Sequence, residues 1–280
     1  MILITGANGV VGHSLQNMLA EDQYIGVSRT ANGEYLEWDM STTEVELPAL
    51  KVLIHCAPIW LLSDHLEQLY KAGVRQFIVF SSSSVLSKTA SKTPSERKLV
   101  SRLAAAEEAI HSFCTGYGLS LTVLRPSLIY GYGRDQNISH IASFINRFGF
   151  AVVAGKAAGL RQPVHADDLA SLCLKLLNKP SVEQQTYVVA GAEAISYRSM
   201  VNKIFECLGK RPIIIGAPLW VLRLALSIAS KIGRFDYTAD MADRMQQNLI
   251  YDNQAAIDEL GFQPSAFLNN PKQDLPSYVD

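Results

Sequence analysis

The sequence has few cysteines, and they are scattered. The 280 residues include four, with no Cys-x-x-Cys pair and no Cys/His cluster. This spacing argues against both a zinc site and a disulfide framework. We therefore expect no metal, and reduced packing cysteines in a cytoplasmic protein. MILITG at the N-terminus shows no charged leader, so no export signal is expected.

The sequence also lacks an excess of either charge. The formal net charge is −1, from 25 basic and 26 acidic residues. A phosphate backbone is held by a broad basic field, which this balance does not provide. A nucleic acid is therefore not an expected partner.

No apolar run is long enough to cross a bilayer comfortably. The longest, residues 217–232, is interrupted by Arg223 and Ser227. Its Trp and Leu residues, followed by Lys231 and Arg234, would also suit a helix lying in a membrane interface. Burial against a small domain is the more common fate of an amphipathic helix. Membrane-surface contact through 217–232 is therefore not expected.

Short apolar runs rich in β-branched residues alternate with helical patterns along the first half of the chain. The runs are MILIT, YIGVS, KVLIHCA, RQFIVFS and LSLTVLR. Continuously apolar strands separated by helices indicate a parallel sheet covered on both faces. The predicted fold is α/β, a doubly wound parallel sheet with a smaller, mostly helical C-terminal lobe. We assign 1–130 to a dinucleotide-binding core completed by about 163–192, and 131–162 with 193–280 to a substrate lobe.

A glycine-rich turn follows the first strand and opens a helix. Gly6 permits a sharp turn, Gly9 leaves room for a pyrophosphate, and Gly12 allows close helix packing. The helix N-terminus then offers free N–H groups to an anion. This context predicts a bound dinucleotide.

The end of the second strand favours NADP(H) over NAD(H). Ser28 and Arg29 stand where an NAD site usually has an acidic residue, and guanidinium forms forked bonds to a 2′-phosphate. Arg29 stacking on adenine or facing solvent is the alternative. Asp39 is placed to meet the adenine amino group or to form a turn.

Several further motifs carry a family resemblance. TGANGVVG, VLIHCAP, FIVFSSSSVL, LTVLRPSLIYGYGRDQNI, RQPVHADDLA and DNQAAIDELGFQP keep a familiar order along nearly the whole chain. The sequence resembles the extended short-chain dehydrogenase/reductases, the NAD-dependent epimerase/dehydratase group that acts largely on nucleotide sugars. The resemblance implies a Rossmann fold, with Ser82 at the catalytic serine position and Arg161 holding the substrate diphosphate.

The same resemblance exposes a missing pair. The chemistry needs a tyrosine and a lysine four residues apart on one helix, but the family spacing places Leu99 and Leu103 there. Neither leucine can transfer a proton. Glu96, Arg102 and Tyr130 are weak candidates to replace the pair. Glu96 is better explained as a first-turn residue behind a Ser95 cap.

Two functions follow from these observations. One is an epimerase, dehydratase or reductase with an atypical active site, acting on a nucleotide-linked sugar or a related carbonyl or hydroxyl compound. The other is a non-catalytic NADP(H)-binding scaffold or redox sensor, and either could be a homodimer. The predicted cofactor ligands are Gly6, Asn8, Gly9, Val10, Val11, Gly12, Ser28, Arg29, Asp39, Met40, Cys56, Ala57, Pro58, Ser81 and Pro126, and the predicted substrate ligands are Ser83, Arg134 and Arg161.

Overall fold

The computed structural model describes residues 1–29, 35–42, 45–87, 93–179, 184–231 and 239–275. Its internal contacts divide the chain into two units. The first unit contains residues 1–127, 164–190 and 252–264. The second contains residues 128–163, 191–251 and 265–280.

The regular elements are short strands and helices of 4 to 23 residues. The strands are β1 (Ile2–Thr5), β2 (Tyr24–Ser28), β3 (Leu36–Glu37), β4 (Val52–His55), β5 (Gln76–Phe80), β6 (Ser120–Pro126), β7 (Ile129–Tyr130), β8 (Ala151–Ala154), β9 (Leu160–Arg161), β10 (Val164–His165), β11 (Gln185–Val189), β12 (Ile195–Ser196) and β13 (Ile214–Ala217). The α-helices are α1 (Val10–Met18), α2 (Leu66–Lys71), α3 (Ser84–Ser87), α4 (Pro94–Gly116), α5 (Ile138–Phe148), α6 (Ala166–Leu177), α7 (Tyr197–Cys207), α8 (Leu219–Lys231), α9 (Ala239–Arg244), α10 (Gln254–Leu260) and α11 (Pro271–Asp274).

The first unit is built around a seven-stranded sheet. Its strands lie in the order β11-β6-β5-β4-β1-β2-β3. Every neighbouring pair in it is parallel. All five residues of β5 are buried, as expected for a central strand with both faces covered. The predicted doubly wound α/β fold is confirmed. Since the strands are parallel, the carboxyl ends of β1, β2, β4 and β5 meet at one edge.

The segment 252–264 corrects the predicted boundaries. The sequence analysis placed it in the C-terminal lobe, but it belongs to the first unit. Glu259 in α10 accepts a hydrogen bond from the Tyr187 hydroxyl of β11 at 2.7 Å. Lys175 in α6 donates to the Gly261 carbonyl at 2.6 Å. These contacts attach α10 to the outer strand of the sheet.

The start of α4 corrects a second expectation. The helix begins at Pro94 with Thr93 as its N-cap, so the prediction that Ser95 is the cap is wrong. Proline is favoured in the first turn because its missing N–H would have no partner there. Glu96 lies in that first turn, near the positive end of the helix dipole, as predicted.

The second unit has a core of its own, built mainly from α5, α7 and β8. Its largest buried side chains are those of Tyr130, Phe205 and Phe267. β8 pairs with β13 in parallel, and β9 pairs with β12 antiparallel.

Helix α8 covers most of the apolar run singled out in the sequence, but it is only partly buried. Leu222 is 8% exposed and packs with Ala154 and Ala242. Trp220 and Leu224 are 69% and 56% exposed. The expected packing of an amphipathic helix against the small domain is confirmed for Leu222, and Trp220 and Leu224 lie on its exposed side. No helix in the described part of the chain has the length and hydrophobicity to span a membrane.

Candidate functional site

The turn after β1 depends on glycine at two positions. Gly6 has a φ of +69°, and a Cβ there would lie 2.7 Å from the Ala57 amide nitrogen. A Cβ on Gly12 would lie 2.7 Å from the Cα of Ala7. Because both approaches involve backbone atoms, neither position admits a side chain without moving the main chain. The turn is thereby held against the ends of both β1 and β4.

Helix α1 begins at this turn with its first amides available. Gly9 is the N-cap and provides no side chain, and the first turn contains no acidic residue. The Gly9 amide donates back to the Gly6 carbonyl at 2.8 Å, which closes the loop. The amides of Val10, Val11 and Gly12 have no hydrogen-bond partner within the described residues, as expected for a first helical turn. These residues therefore fit a diphosphate group.

The end of β2 lies beside the same loop. The Asn8 side-chain amide donates to the Ser28 hydroxyl at 2.7 Å, which joins two of the predicted cofactor ligands. Arg29 follows at the surface and is exposed. The Asp39 carboxylate accepts from the Ser41 amide at 3.0 Å and from its hydroxyl at 2.6 Å. These bonds, with a smaller contribution from the Arg29 charge, lower the pKa of Asp39. Asp39 thus forms a turn, one of its two predicted roles.

The end of β4 is buried, and its last residue, His55, is hydrogen-bonded on both sides of the ring. His55 is fully buried, and its Nδ1 lies 2.7 Å from the Thr5 hydroxyl of β1. Desolvation lowers the pKa of His55 to about 4, so the ring is neutral at pH 7. The following residues, Cys56 and Ala57, are those that a Gly6 side chain would strike. Burial raises the pKa of Cys56, so its thiol stays protonated.

The serines after β5 differ in their contacts. The Ser81 hydroxyl donates to the Glu107 carboxylate, which also accepts from the Nε of Arg125 at 3.0 Å and from its Nη2. The Ser82 hydroxyl accepts from the Ser84 amide at 3.1 Å and is half-buried. The Ser83 amide donates to the Pro126 carbonyl at 3.0 Å, which joins the ends of β5 and β6.

Helix α4 presents apolar packing where the family pair would lie. Leu103 is 4% exposed and belongs to the core of the first unit, and Leu99 packs against that core. The Arg102 guanidinium lies over the Trp60 ring, 4.2 Å from its centroid. This contact gives Arg102 a packing role on the short turn Ile59–Leu61. Glu96, one turn earlier, is half-buried.

Three predicted residues, Tyr130, Arg134 and Arg161, lie in the second unit. The Tyr130 hydroxyl is buried and accepts from the Leu268 amide at 3.0 Å, an arrangement that fits a structural role. Arg161 is buried, and its guanidinium donates to the carbonyls of Leu160 and Gln247 at 2.7 Å each and to that of Arg244. Desolvation lowers its pKa. Arg134, by contrast, is exposed.

Two features of these units were missed in the sequence. Trp60 has no local pattern that marks it as the partner of Arg102. Asp135 is buried and caps α5, because one carboxylate oxygen accepts from the amides of Asn137 at 2.8 Å, Ile138 at 2.5 Å and Ser139 at 3.2 Å. The Asp-x-Asn-x-Ser spacing before an apolar helix could have indicated this cap.

Residues 61–190 match the model of the NAD dependent epimerase/dehydratase family. The matched segment covers less than half of the chain, and its family is the one that the motifs resemble.

The matching segment includes the serines after β5, helix α4 and the strand ending at Pro126. The uncharacterized protein y4nG of Sinorhizobium fredii is 26% identical over 147 residues, which are 52% of this chain and 37% of that protein. The chain thus spans well under half the length of this curated relative.

Solved structures of the same fold cover almost the whole chain. MoeE5 in complex with UDP-glucose and NAD has a TM-score of 0.74 and 19% identity, covering 98% of this chain and 96% of that one. UDP-glucuronic acid 4-epimerase from Bacillus cereus in complex with NAD has a TM-score of 0.74 and 17% identity, covering 99% and 96%. UDP-N-acetylglucosamine 4-epimerase from Bacillus cereus has a TM-score of 0.69 and 15% identity, covering 95% and 94%. At these identities the similarity establishes the fold.

Proposed function

We propose that this chain binds a nicotinamide dinucleotide at the Gly6–Gly12 turn and acts on a nucleotide-linked sugar as an epimerase/dehydratase-like protein. The observation that carries the proposal is the start of α1, an uncapped helix N-terminus behind two glycines that admit no side chain. The family of residues 61–190 supports it. So do the UDP-sugar complexes of the structural neighbours.

A bound nicotinamide would supply hydride acceptance and donation, and the chain would supply binding and orientation. The amides of Val10, Val11 and Gly12 hold the diphosphate. The half-buried Ser82 hydroxyl polarises a substrate oxygen. Arg134 is exposed and available for the anionic part of the substrate, whereas Arg161 already donates to three carbonyls.

We propose NADP(H) as the preferred cofactor. Arg29 is exposed at the end of β2, next to the Asn8–Ser28 hydrogen bond, where its guanidinium can meet a 2′-phosphate. MoeE5 and the Bacillus cereus UDP-glucuronic acid 4-epimerase were solved with NAD, so this preference would distinguish the chain from them.

Titration with NADPH and NADH, followed by nicotinamide fluorescence, tests the cofactor. We expect tighter binding of NADPH, and a loss of about 1–3 kcal/mol in Arg29→Ala for NADPH with little change for NADH. Equal affinities in the unmutated protein would reject the NADP(H) preference alone. Binding of neither cofactor would reject the proposed function.

A non-catalytic scaffold is the second candidate, and one observation favours it. The two positions that would carry the proton-transferring pair hold leucines, Leu103 in the core and Leu99 packed against it. Incubation with UDP-sugars and a C4-deuterated cofactor separates the two. Transfer of the label to or from a sugar supports the enzyme, and tight cofactor binding without transfer under any tested condition supports the scaffold.

We also propose that the protein is a homodimer and that it is cytoplasmic. Ala104 and Ala105 are exposed on α4, so this helix offers a face of small side chains to a second copy. The four cysteines are free thiols, as in a reducing compartment. Sedimentation velocity of the full chain tests the oligomeric state directly.

A further inference from the structure

The Ser81 hydroxyl is the last member of a hydrogen-bonded chain that begins at Arg125. The Arg125 guanidinium binds both oxygens of the Glu107 carboxylate, through Nε at 3.0 Å and through Nη2. Only 21% of the Arg125 side chain and 12% of the Glu107 side chain are exposed. The Ser81 hydroxyl donates to the same carboxylate. These three side chains join α4 to the carboxyl ends of β5 and β6.

The chemistry of the three groups fixes the direction of their hydrogen bonds. A guanidinium only donates, and a carboxylate that it binds through both oxygens is ionised and only accepts. The single hydroxyl hydrogen of Ser81 therefore points at Glu107. The Ser81 oxygen keeps its lone pairs, and it accepts from no group in the part of the chain that the structure describes. Ser81 can therefore accept a hydrogen bond from a ligand but cannot donate one.

The main chain holds Ser81 in a fixed position. Its amide donates to the Leu124 carbonyl at 2.8 Å, and the Ser83 amide donates to the Pro126 carbonyl at 3.0 Å. The residues after β5 are thus bonded to β6 on both sides of Ser82. Ser81 is half-buried. A fixed, partly enclosed acceptor discriminates between ligand groups, because a ligand without a donor leaves the contact unsatisfied.

The place of Ser81 along the sheet indicates which part of a dinucleotide it would meet. The order β5-β4-β1-β2 places the glycine turn after β1 between the ends of β4 and β2. With the adenosine at Arg29, after β2, the other nucleoside would extend over the ends of β4 and β5, about 5 and 10 Å from β1. Ser81 is the first residue after β5.

We propose that Ser81 accepts a hydrogen bond from the carboxamide NH2 of the nicotinamide, and that Glu107 is the positioning residue that fixes this polarity. The inference rests on the proposed function and adds the group that the chain recognises on the nicotinamide. A carboxamide offers an acceptor oxygen and a donor NH2, and a serine that can only accept selects the NH2.

Calorimetric titration of the full chain with two cofactor analogues tests this polarity. The acetylpyridine analogue of NADP⁺ has a methyl group in place of the NH2, whereas the thionicotinamide analogue keeps the NH2 and has sulfur in place of the oxygen. We expect the acetylpyridine analogue to bind about tenfold more weakly than NADP⁺, and the thionicotinamide analogue to bind within about threefold of it. The same compounds of the NAD⁺ series are used if NAD⁺ binds more tightly.

Single substitutions assign the effect to Ser81. Ser81→Ala should abolish the preference, so that NADP⁺ and the acetylpyridine analogue bind within about twofold of each other. Ser84→Ala is the matched control and should keep the full preference, because the Ser84 hydroxyl forms no hydrogen bond within the described residues. Glu107→Gln offers Ser81 an amide donor and releases its hydroxyl hydrogen, so the acetylpyridine analogue should then bind at least as tightly as NADP⁺. A merely structural role of Glu107 would weaken both compounds equally.

The outcomes separate this inference from the proposed function. Equal affinities of the unmutated protein for all three compounds would overturn the inference and indicate a ribose hydroxyl as the donor. A preference that persists in Ser81→Ala would overturn it as well. Failure of every compound to bind would reject the proposed function together with the inference. If Glu107→Gln does not fold, the comparison of Ser81→Ala with the unmutated protein decides.

Discussion

Gly12 is closely packed and Gly116 is not, so one added methyl group should change the stability of the chain differently at the two positions. A Cβ on Gly12 would strike the backbone of Ala7, whereas nothing lies within 4 Å of a Cβ on Gly116 at the end of α4. We expect Gly12→Ala to destabilise the chain by about 1–3 kcal/mol and to abolish dinucleotide binding, since the loop must move. Gly116→Ala should be neutral or stabilising by up to about 1 kcal/mol. Urea unfolding and fluorescence titration measure both effects, and full cofactor affinity in Gly12→Ala would contradict the assigned loop.

Contacts between distant residues set the limit on what could be predicted at the residue scale. The glycine spacing was readable because its function is local and depends on consecutive backbone positions. The contact of Ser81 with Glu107, and of Glu107 with Arg125, joins residues 26 and 18 positions apart. Nothing in the local sequence states that these three side chains meet, so the Ser81 hydroxyl was assigned to the cofactor without knowledge of this partner.

The packing of α4 predicts that restoring the lysine of the family pair would destabilise the chain. Leu103 lies in the core and Leu99 one turn earlier at its margin. A lysine at position 103 would bury an ammonium group among apolar side chains, so Leu103→Lys should lower the free energy of unfolding by about 3 kcal/mol or more. Leu99→Lys is the matched control, and it should cost much less because its longer chain can reach solvent. Comparable losses in urea unfolding would show that position 103 is not the more enclosed of the two.

The elements that were predicted and those that were not differ in what specifies them. The strands of the sheet were readable because a strand buried on both faces has a continuous apolar run. The predicted start of α4 was displaced by two residues, because Pro94 fixes the first turn and an acceptable capping serine follows it. Attachment of α10 to β11 depends on Tyr187 and Glu259, which are 72 residues apart. The residue pattern therefore predicted a mostly helical C-terminal lobe, but not that this helix packs on the sheet of the first unit.

At the scale of the whole molecule, each unit has its own core. The core of the first unit contains a buried ionisable group, the His55 side chain at the end of β4. His55 lies between β1 and the turn at Pro58, where its Nε2 is 3.3 Å from the Pro58 carbonyl. Its neighbours therefore match a neutral ring that donates from Nε2 and accepts at Nδ1 from the Thr5 hydroxyl. Protonation of Nδ1 would point an N–H donor at the Thr5 hydroxyl and would leave a positive charge buried in the core.

The pH dependence of global stability follows from this group. The pKa of His55 is lowered from 6.5 to about 4 in the folded chain, so below pH 6.5 the unfolded chain binds the proton more readily. The His55 contribution to stability is complete above pH 6.5, falls as the pH decreases, and is exhausted near pH 4. The loss across this window should be on the order of 3 kcal/mol. Urea unfolding at several pH values measures it, and His55→Gln should flatten the dependence because glutamine does not titrate. If that variant does not fold, an NMR titration of the unmutated protein decides, since a His55 ring that titrates near pH 6.5 in the native state would show that the folded chain does not exclude the charged form.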